Sequence, residues 1–138
     1  MRAVLLLLAA TAFAQEQEHT HNIEPIVRAL HLEPGNRIAD VGAGHGAYTF
    51  PIAKIVGPSG RVFAVDIDEK NAIRQLREKV QKDKVDNVEV ILSKPDDPLL
   101  PAGVLDAVLI VNAYHEMDPY EAMLGHVREA LKPGGRLA

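Results

Sequence analysis

Residues 40–48 read DVGAGHGAY, a carboxylate and three glycines within nine positions directly after a short apolar run. Glycine at alternate positions lets the backbone take positive φ and lets a ligand come close, because no Cβ intervenes. Taken alone, Gly42-x-Gly44-x-x-Ala47 satisfies the dinucleotide fingerprint G-x-G-x-x-G/A, with Asp66 following at about the 20-residue spacing that suits a ribose diol. On these nine residues a phosphate cradle, a loop for another nucleoside ligand and a flexible turn all stay open.

Outward from the loop, apolar runs alternate with helical patterns. RIADVG (37–42), RVFAVDID (61–68), NVEVILS (87–93) and LDAVLIVNA (105–113) read as strands that are apolar along their length rather than alternating. The spacing of Ile26, Val27 and Leu30 predicts a helix within 23–32, ended by the turn signal Pro34-Gly35. Residues 46–56 suit a second helix, with Pro51 either kinking it or sitting in its first turn. GPSG at 57–60 is a turn. A third helix runs from about Glu69 to Lys82 with Ile73, Leu76 and Val80 on one face, and Asp68 reads as its N-cap. A fourth opens at Asp118-Pro119, turns Met123, Leu124, Val127 and Leu131 inward and stops at Gly134-Gly135, so that RLA (136–138) looks like a strand just beginning. Strands buried on both faces and separated by helices predict an α/β fold, a doubly wound and mostly parallel sheet.

The chain has 138 residues, enough for one domain, and 47% of them are hydrophobic against 25% charged, as in an ordinary globular protein. A net charge of −4 argues against a nucleic-acid surface built on bulk electrostatics. With no cysteine, disulfides, thiolate metal sites and cysteine nucleophiles are excluded. His19 and His21 lack a third ligand nearby and read as solvated, so no metal is expected. MRAVLLLLAATAFAQ (1–15) carries one basic residue, an apolar stretch and Ala12-Phe13-Ala14, an A-x-A cleavage signature. It predicts a signal peptide over 1–14 and an exported protein, periplasmic or secreted; the alternative is a buried or membrane-lying helix in a cytoplasmic protein. The run is shorter than the roughly 20 residues of a membrane span. QEQEHTHN (15–22) predicts a mobile segment.

LEPGNRIADVGAGHGAYT, GRVFAVDID, SKPDDPLLP, LDAVLIVNAYHEM and LKPGGRL occur in this order and spacing. Together they resemble the class I S-adenosylmethionine-dependent methyltransferases, in particular small bacterial methyltransferase-domain proteins, over residues 23–138. The family pattern E/D-x-G-x-G-x-G is matched by Asp40, Gly42, Gly44 and Gly46. The resemblance implies that this loop receives the methionine portion of S-adenosyl-L-methionine, with Asp40 near its ammonium group. A carboxylate there suits a cation and repels a pyrophosphate, which independently disfavours the rival reading, an NAD-binding oxidoreductase. By the same resemblance Asp66 holds the ribose hydroxyls, and Asp96, or Asp97 after a one-residue shift, looks toward the adenine amino group. Asn112 lines the pocket.

Methyl transfer is an in-line displacement at an activated methyl, so positioning carries much of the catalysis and a base is needed only where the acceptor must lose a proton. His115 and Tyr114, beside Glu116 just after the fourth strand, are the catalytic candidates, with His115 first because imidazole titrates near neutrality. His45 either lines the pocket or faces solvent, Tyr48 either presents its ring to the cofactor or, the favoured role, packs in the core, and His126 has no evident partner and reads as structural. The acceptor is expected to be a small molecule. The family sheet has seven strands, so the resemblance implies a domain incomplete at its C-terminus, truncated at about strand five. Such a chain is expected to leave a long apolar sheet edge open to self-association, and to be either an enzyme or a non-catalytic cofactor-binding fragment.

Overall fold

A computed structural model describes residues 21–111 and 120–138. The signal-peptide reading of 1–14, His19, the helix start at Asp118-Pro119 and the segment holding Asn112, Tyr114, His115 and Glu116 lie outside the described residues. Of the segment expected to be mobile, His21 and Asn22 are described. His21 sets its ring edge-on to Tyr48, 5.2 Å between centroids, and the Asn22 side chain accepts the Glu24 N–H at 3.2 Å.

The elements run α1 (Glu24–Leu30), β1 (Arg37–Val41), α2 (Thr49–Val56), β2 (Arg61–Asp66), α3 (Arg74–Lys82), β3 (Val88–Leu92), β4 (Leu105–Ile110), α4 (Tyr120–Ala130) and β5 (Leu131–Leu137). All neighbouring strands pair in parallel, in the order β3-β2-β1-β4-β5. The fold is therefore the doubly wound α/β sheet that the apolar strands predict. Parallel strands in sequence must be joined by right-handed crossovers. From β1 the chain steps one way through α2 and the other way, later, from β4 through α4. The same handedness thus sends α2 and α3 to one face and α4 to the opposite face.

Two cores record this division. Ile38, Val62, Ala64 and Leu109 pack with Ile52, Val56 and Leu76 of α2 and α3. Ala39, Val41, Phe63, Val65 and Val108 pack with Met123, Val127 and Ala130 of α4. Alternate residues of one strand serve opposite cores, which explains why the strands read as continuous apolar runs. A fully buried side chain such as Ile38 or Leu76 contributes about 1.5–3 kcal/mol by its burial.

Local chemistry accounts for most element ends. Pro51 falls in the first turn of α2, where its missing N–H has no intrahelical partner to lose, so the helix is not kinked. α2 begins at Thr49 rather than 46, because Gly42, Gly44 and Gly46 all take positive φ and hold 42–48 as a string of turns. The last carbonyls of α2 receive the Asn87 side-chain amide, which donates to Ala53 O at 2.8 Å and Gly57 O at 2.9 Å. Asp68 is an N-cap as expected, its carboxylate accepting the Asn71 N–H at 3.1 Å. The helix it opens starts with a π-helical turn, Glu69–Ile73, before α3.

The largest departure from the sequence expectation is at the C-terminal end. α4 stops at Ala130 and β5 begins at Leu131, five residues before RLA. Gly103 and Val104 donate N–H groups to the Glu129 and Ala130 carbonyls, which ends the helix. Leu131 then pairs with Leu105, and the next pairing is Ala107 with Arg136, so the surplus residues bulge around Pro133 and Gly134, the latter at φ +79°. Gly134-Gly135 marks a bulge, not a helix stop. β5 covers β4 and is itself the edge strand on that side, with Pro133, Arg136 and Leu137 exposed and Lys132 reaching back to Asp106 on β4 at 3.1 Å.

The loop glycines give a test of this packing. A Cβ on Gly46 would stand 2.4 Å from Phe50 Cε2 and 2.7 Å from Phe50 Cδ2 at φ +92°, whereas a Cβ on Gly44 would meet nothing within 4 Å. Gly46→Ala is expected to cost about 2–4 kcal/mol and Gly44→Ala about 1 kcal/mol, read as urea unfolding midpoints. Equal losses would contradict the close approach at Gly46.

Candidate functional site

The order reversal between β1 and β4 opens a crevice at the carboxyl ends of the strands, where doubly wound sheets place ligands. The sequence-predicted residues Asp40, Gly42, Gly44, Gly46 and Asp66 are gathered at that end.

Asp40 is the penultimate residue of β1, paired to Ala64 on β2 and Leu109 on β4, and only 2% exposed. Its carboxylate accepts the Thr49 hydroxyl at 2.7 Å. Burial pushes the Asp40 carboxyl up from 3.8 to about 6; the Thr49 hydroxyl bond opposes that rise, and the nearby Asp66 charge adds to it. A buried carboxylate with one side-chain donor holds a strong bias toward any cation that reaches it.

Asp66 closes β2 and ties two loops together. Oδ2 accepts the Gly44 N–H at 2.8 Å and Oδ1 accepts the Asp68 N–H at 2.9 Å. Each oxygen keeps a second lone pair, so the carboxylate can still take two hydroxyl donors side by side. The start of the glycine loop is latched to the same strand by the Gly42 and Ala43 N–H groups, both donated to the Val65 carbonyl. Gly44 presents bare backbone with open space where its Cβ would be. Beside Asp66, Ile67 is 55% exposed, an apolar surface at the strand exit fit to meet a flat ring.

The loop after β3 separates the two adjacent aspartates. Asp97 closes a turn with Lys94, accepts the Leu99 N–H at 2.8 Å on Oδ1, and sets Oδ2 3.8 Å from His126 Nε2. Asp96 is exposed, with no hydrogen bond or ion pair among the described residues. Ser93 donates its N–H to the Asp66 carbonyl at 2.9 Å, which starts this loop at the same end of the sheet. His126 is not without partners: Asp97 and Glu129, at 3.8 and 3.7 Å, flank it. His45 is exposed, and Tyr48 packs against the α2 side of the core. An open groove of about 550 Å³ near Arg37, Arg61, Phe63 and Leu100 lies at the opposite, amino-terminal end of the strands.

Two residues at this end of the sheet escape the motif reading. Thr49 has a signal in sequence only as a polar residue at a helix start, and Ile67 only as an apolar residue between two aspartates.

The profile of the methyltransferase-domain family matches residues 38–135, spanning the strands, the glycine loop and Asp66. The chain belongs to the class I S-adenosylmethionine-dependent methyltransferase family. It is 27% identical over 114 residues to a demethylmenaquinone methyltransferase of Geobacillus sp. (strain WCH70), covering 83% of this chain and 48% of that protein. It is 34% identical over 104 residues to the nocamycin O-methyltransferase of Saccharothrix syringae, covering 75% and 37%. Among solved structures it is similar to a SAM-dependent methyltransferase from Aquifex aeolicus, with a TM-score of 0.75, 29% identity and coverage of 83% of this chain and 60% of that one. The chain spans about half or less of the length of these curated relatives.

In this methyltransferase fold the buried acid has a cost that pH exposes. The folded Asp40 carboxyl titrates at about 6 against an unfolded value of 3.8, so the fold prefers the protonated form. The Asp40 contribution is most favourable below the unfolded value and is lost as pH rises from about 4 through 6, by roughly 3 kcal/mol in all. Asp40→Asn is expected to stabilise the protein by up to about 3 kcal/mol at pH 7.5, with the gain shrinking toward nil near pH 4. Urea unfolding at both pH values checks this, and a gain that does not depend on pH would contradict the account.

Proposed function

We propose that the chain binds S-adenosyl-L-methionine at the carboxyl ends of β1 and β2 and takes part in methyl transfer to a small-molecule acceptor. The observation that carries the reading is the pair of carboxylates at the carboxyl ends of β1 and β2, Asp40 held by Thr49 and Asp66 bonded to the open backbone of Gly44. A pyrophosphate at this loop would meet two negative groups, whereas an ammonium and a ribose diol would each meet an acceptor. That donor and acceptor set fits the sulfonium nucleoside and not a dinucleotide.

When bound, the cofactor supplies an electrophilic methyl on a sulfonium, and the protein's part is to place it. Asp40 takes the ammonium end, Gly44 allows the approach, Asp66 takes the ribose hydroxyls, and Ile67 covers one face of the adenine. Asp96 rather than Asp97 serves the adenine amino group, because Asp97 is engaged within its own turn and toward His126. The family resemblance would give Asn112 a place in the pocket lining and would give His115 or Tyr114 the removal of a proton where the acceptor carries one. The small-molecule acceptor is supported by relatives named for nocamycin and demethylmenaquinone.

Calorimetric titration of the full chain with S-adenosylmethionine and, separately, NAD tests the reading. Binding of the first alone is expected, weakened about tenfold or more by Asp66→Ala through the lost charge-assisted bonds. Binding of NAD, or of neither, would contradict it. Cofactor binding with no methylated product across an acceptor panel would keep the site and remove the enzyme.

A further inference from the structure

From the geometry we infer that Thr49 is a positioning residue for the cofactor's amino-acid end: its hydroxyl orients the Asp40 carboxylate and keeps it available to an ammonium. The inference rests on the cofactor reading above and adds to it a residue outside the glycine motif.

Among the described residues only two polar side chains are buried, Asp40 and Thr49, and they are bonded to each other. Thr49 is the first residue of α2 and fully buried, with its Oγ1 2.7 Å from Asp40 Oδ2. A β-branched side chain at a helix start has few rotamers, so the hydroxyl arrives in a fixed direction. The elements around Asp40 offer little else. Its neighbours across the sheet are Ala64 and Leu109, and the charged group that acts on it is Asp66, of like sign. Burial and the Asp66 charge both favour the neutral acid; the Thr49 hydrogen bond opposes them.

Removing the hydroxyl while keeping the shape, Thr49→Val, leaves only the backbone N–H of residue 49 to oppose burial and the Asp66 repulsion. The Asp40 carboxyl then rises above its wild-type value of about 6. At pH 7 a larger share of the protein carries a neutral Asp40, and an ammonium loses its counter-charge. A ligand that lacks the amino-acid end does not register the change. Thr49→Ser retains the donor.

The test uses the full chain, with Thr49→Val and Thr49→Ser, and two readouts. The first is the carboxyl titration of Asp40 by carbon-detected NMR without ligand: it moves up in Thr49→Val and stays near wild type in Thr49→Ser. The second is the affinity of S-adenosylmethionine and of 5′-methylthioadenosine, which lacks the amino-acid end, at pH 6, 7 and 8. Thr49→Val is expected to weaken the first ligand about tenfold at pH 7, leave the second unchanged, and show a variant to wild-type ratio that narrows as pH rises. The ligand's own titration cancels in that ratio. Equal weakening of both ligands, or a ratio flat in pH, would overturn the inference in favour of a purely structural threonine. An Asp40 titration that does not move would overturn it also. A titration that moves in Thr49→Val while the wild-type protein binds neither ligand would instead locate the failure in the cofactor reading, and the positioning role would fall with it.

Discussion

Asp40 keeps a carboxylate inside the central strand of a parallel sheet, between Ala64 and Leu109, where every neighbouring strand position is apolar. A charge in that place opposes folding, and the structure answers it with Thr49, chiefly through its hydroxyl and secondarily through its backbone N–H. The rest of the site is arranged around that constraint. The chain must turn sharply after Val41 to bring Thr49 back over Asp40, and the three glycines at positive φ make that turn. The turn leaves Gly44 facing open space, and Asp66 fastens it from the next strand. A destabilised carboxylate, a bare backbone and a second carboxylate are thereby gathered at one end of the sheet, and the proposed binding site is built at a cost in stability.

The topology makes the crevice that this cluster occupies. β1 lies between β2 and β4, and the crossovers on either side of it run in opposite directions. Loops leaving β1 and β4 therefore diverge to opposite faces and cannot fill the space between them. Phosphate-binding sheets with the same topology use that space for a helix N-terminus and an anion. Here the aspartate at the end of β1 reverses the electrostatic preference without changing the fold, which is why fold likeness alone does not decide the ligand.

Legibility in the sequence followed the range of the interactions concerned. The central strands were readable because burial on both faces leaves unbroken apolar runs, and the Asp68 cap and Pro34-Gly35 turn because their chemistry is local. Asp40, the glycines and Asp66 were readable as a pattern with fixed spacing. The α4 to β5 boundary was not, because the glycine pair that resembles a helix stop serves a bulge dictated by pairing with Leu105 and Ala107, residues far away in the chain. The Asp97 and His126 contact joins a loop to a helix across the α4 face and has no sequence signature. Thr49 belongs to the same class: a threonine at a helix start has a local explanation, and only the fold reveals that its hydroxyl reaches across to a buried acid.

The central claim is that the Asp40, Gly44 and Asp66 cluster is where the cofactor sits. Amide NMR spectra of the full chain during titration with S-adenosylhomocysteine address it most directly, since they report location as well as binding. The account predicts shifts concentrated at Gly44, His45, Asp66 and Ile67, with the opposite end of the strands, at Arg37 and Arg61, unmoved. Shifts centred on Arg37 and Arg61, or a spectrum that does not change at saturating ligand, would contradict it.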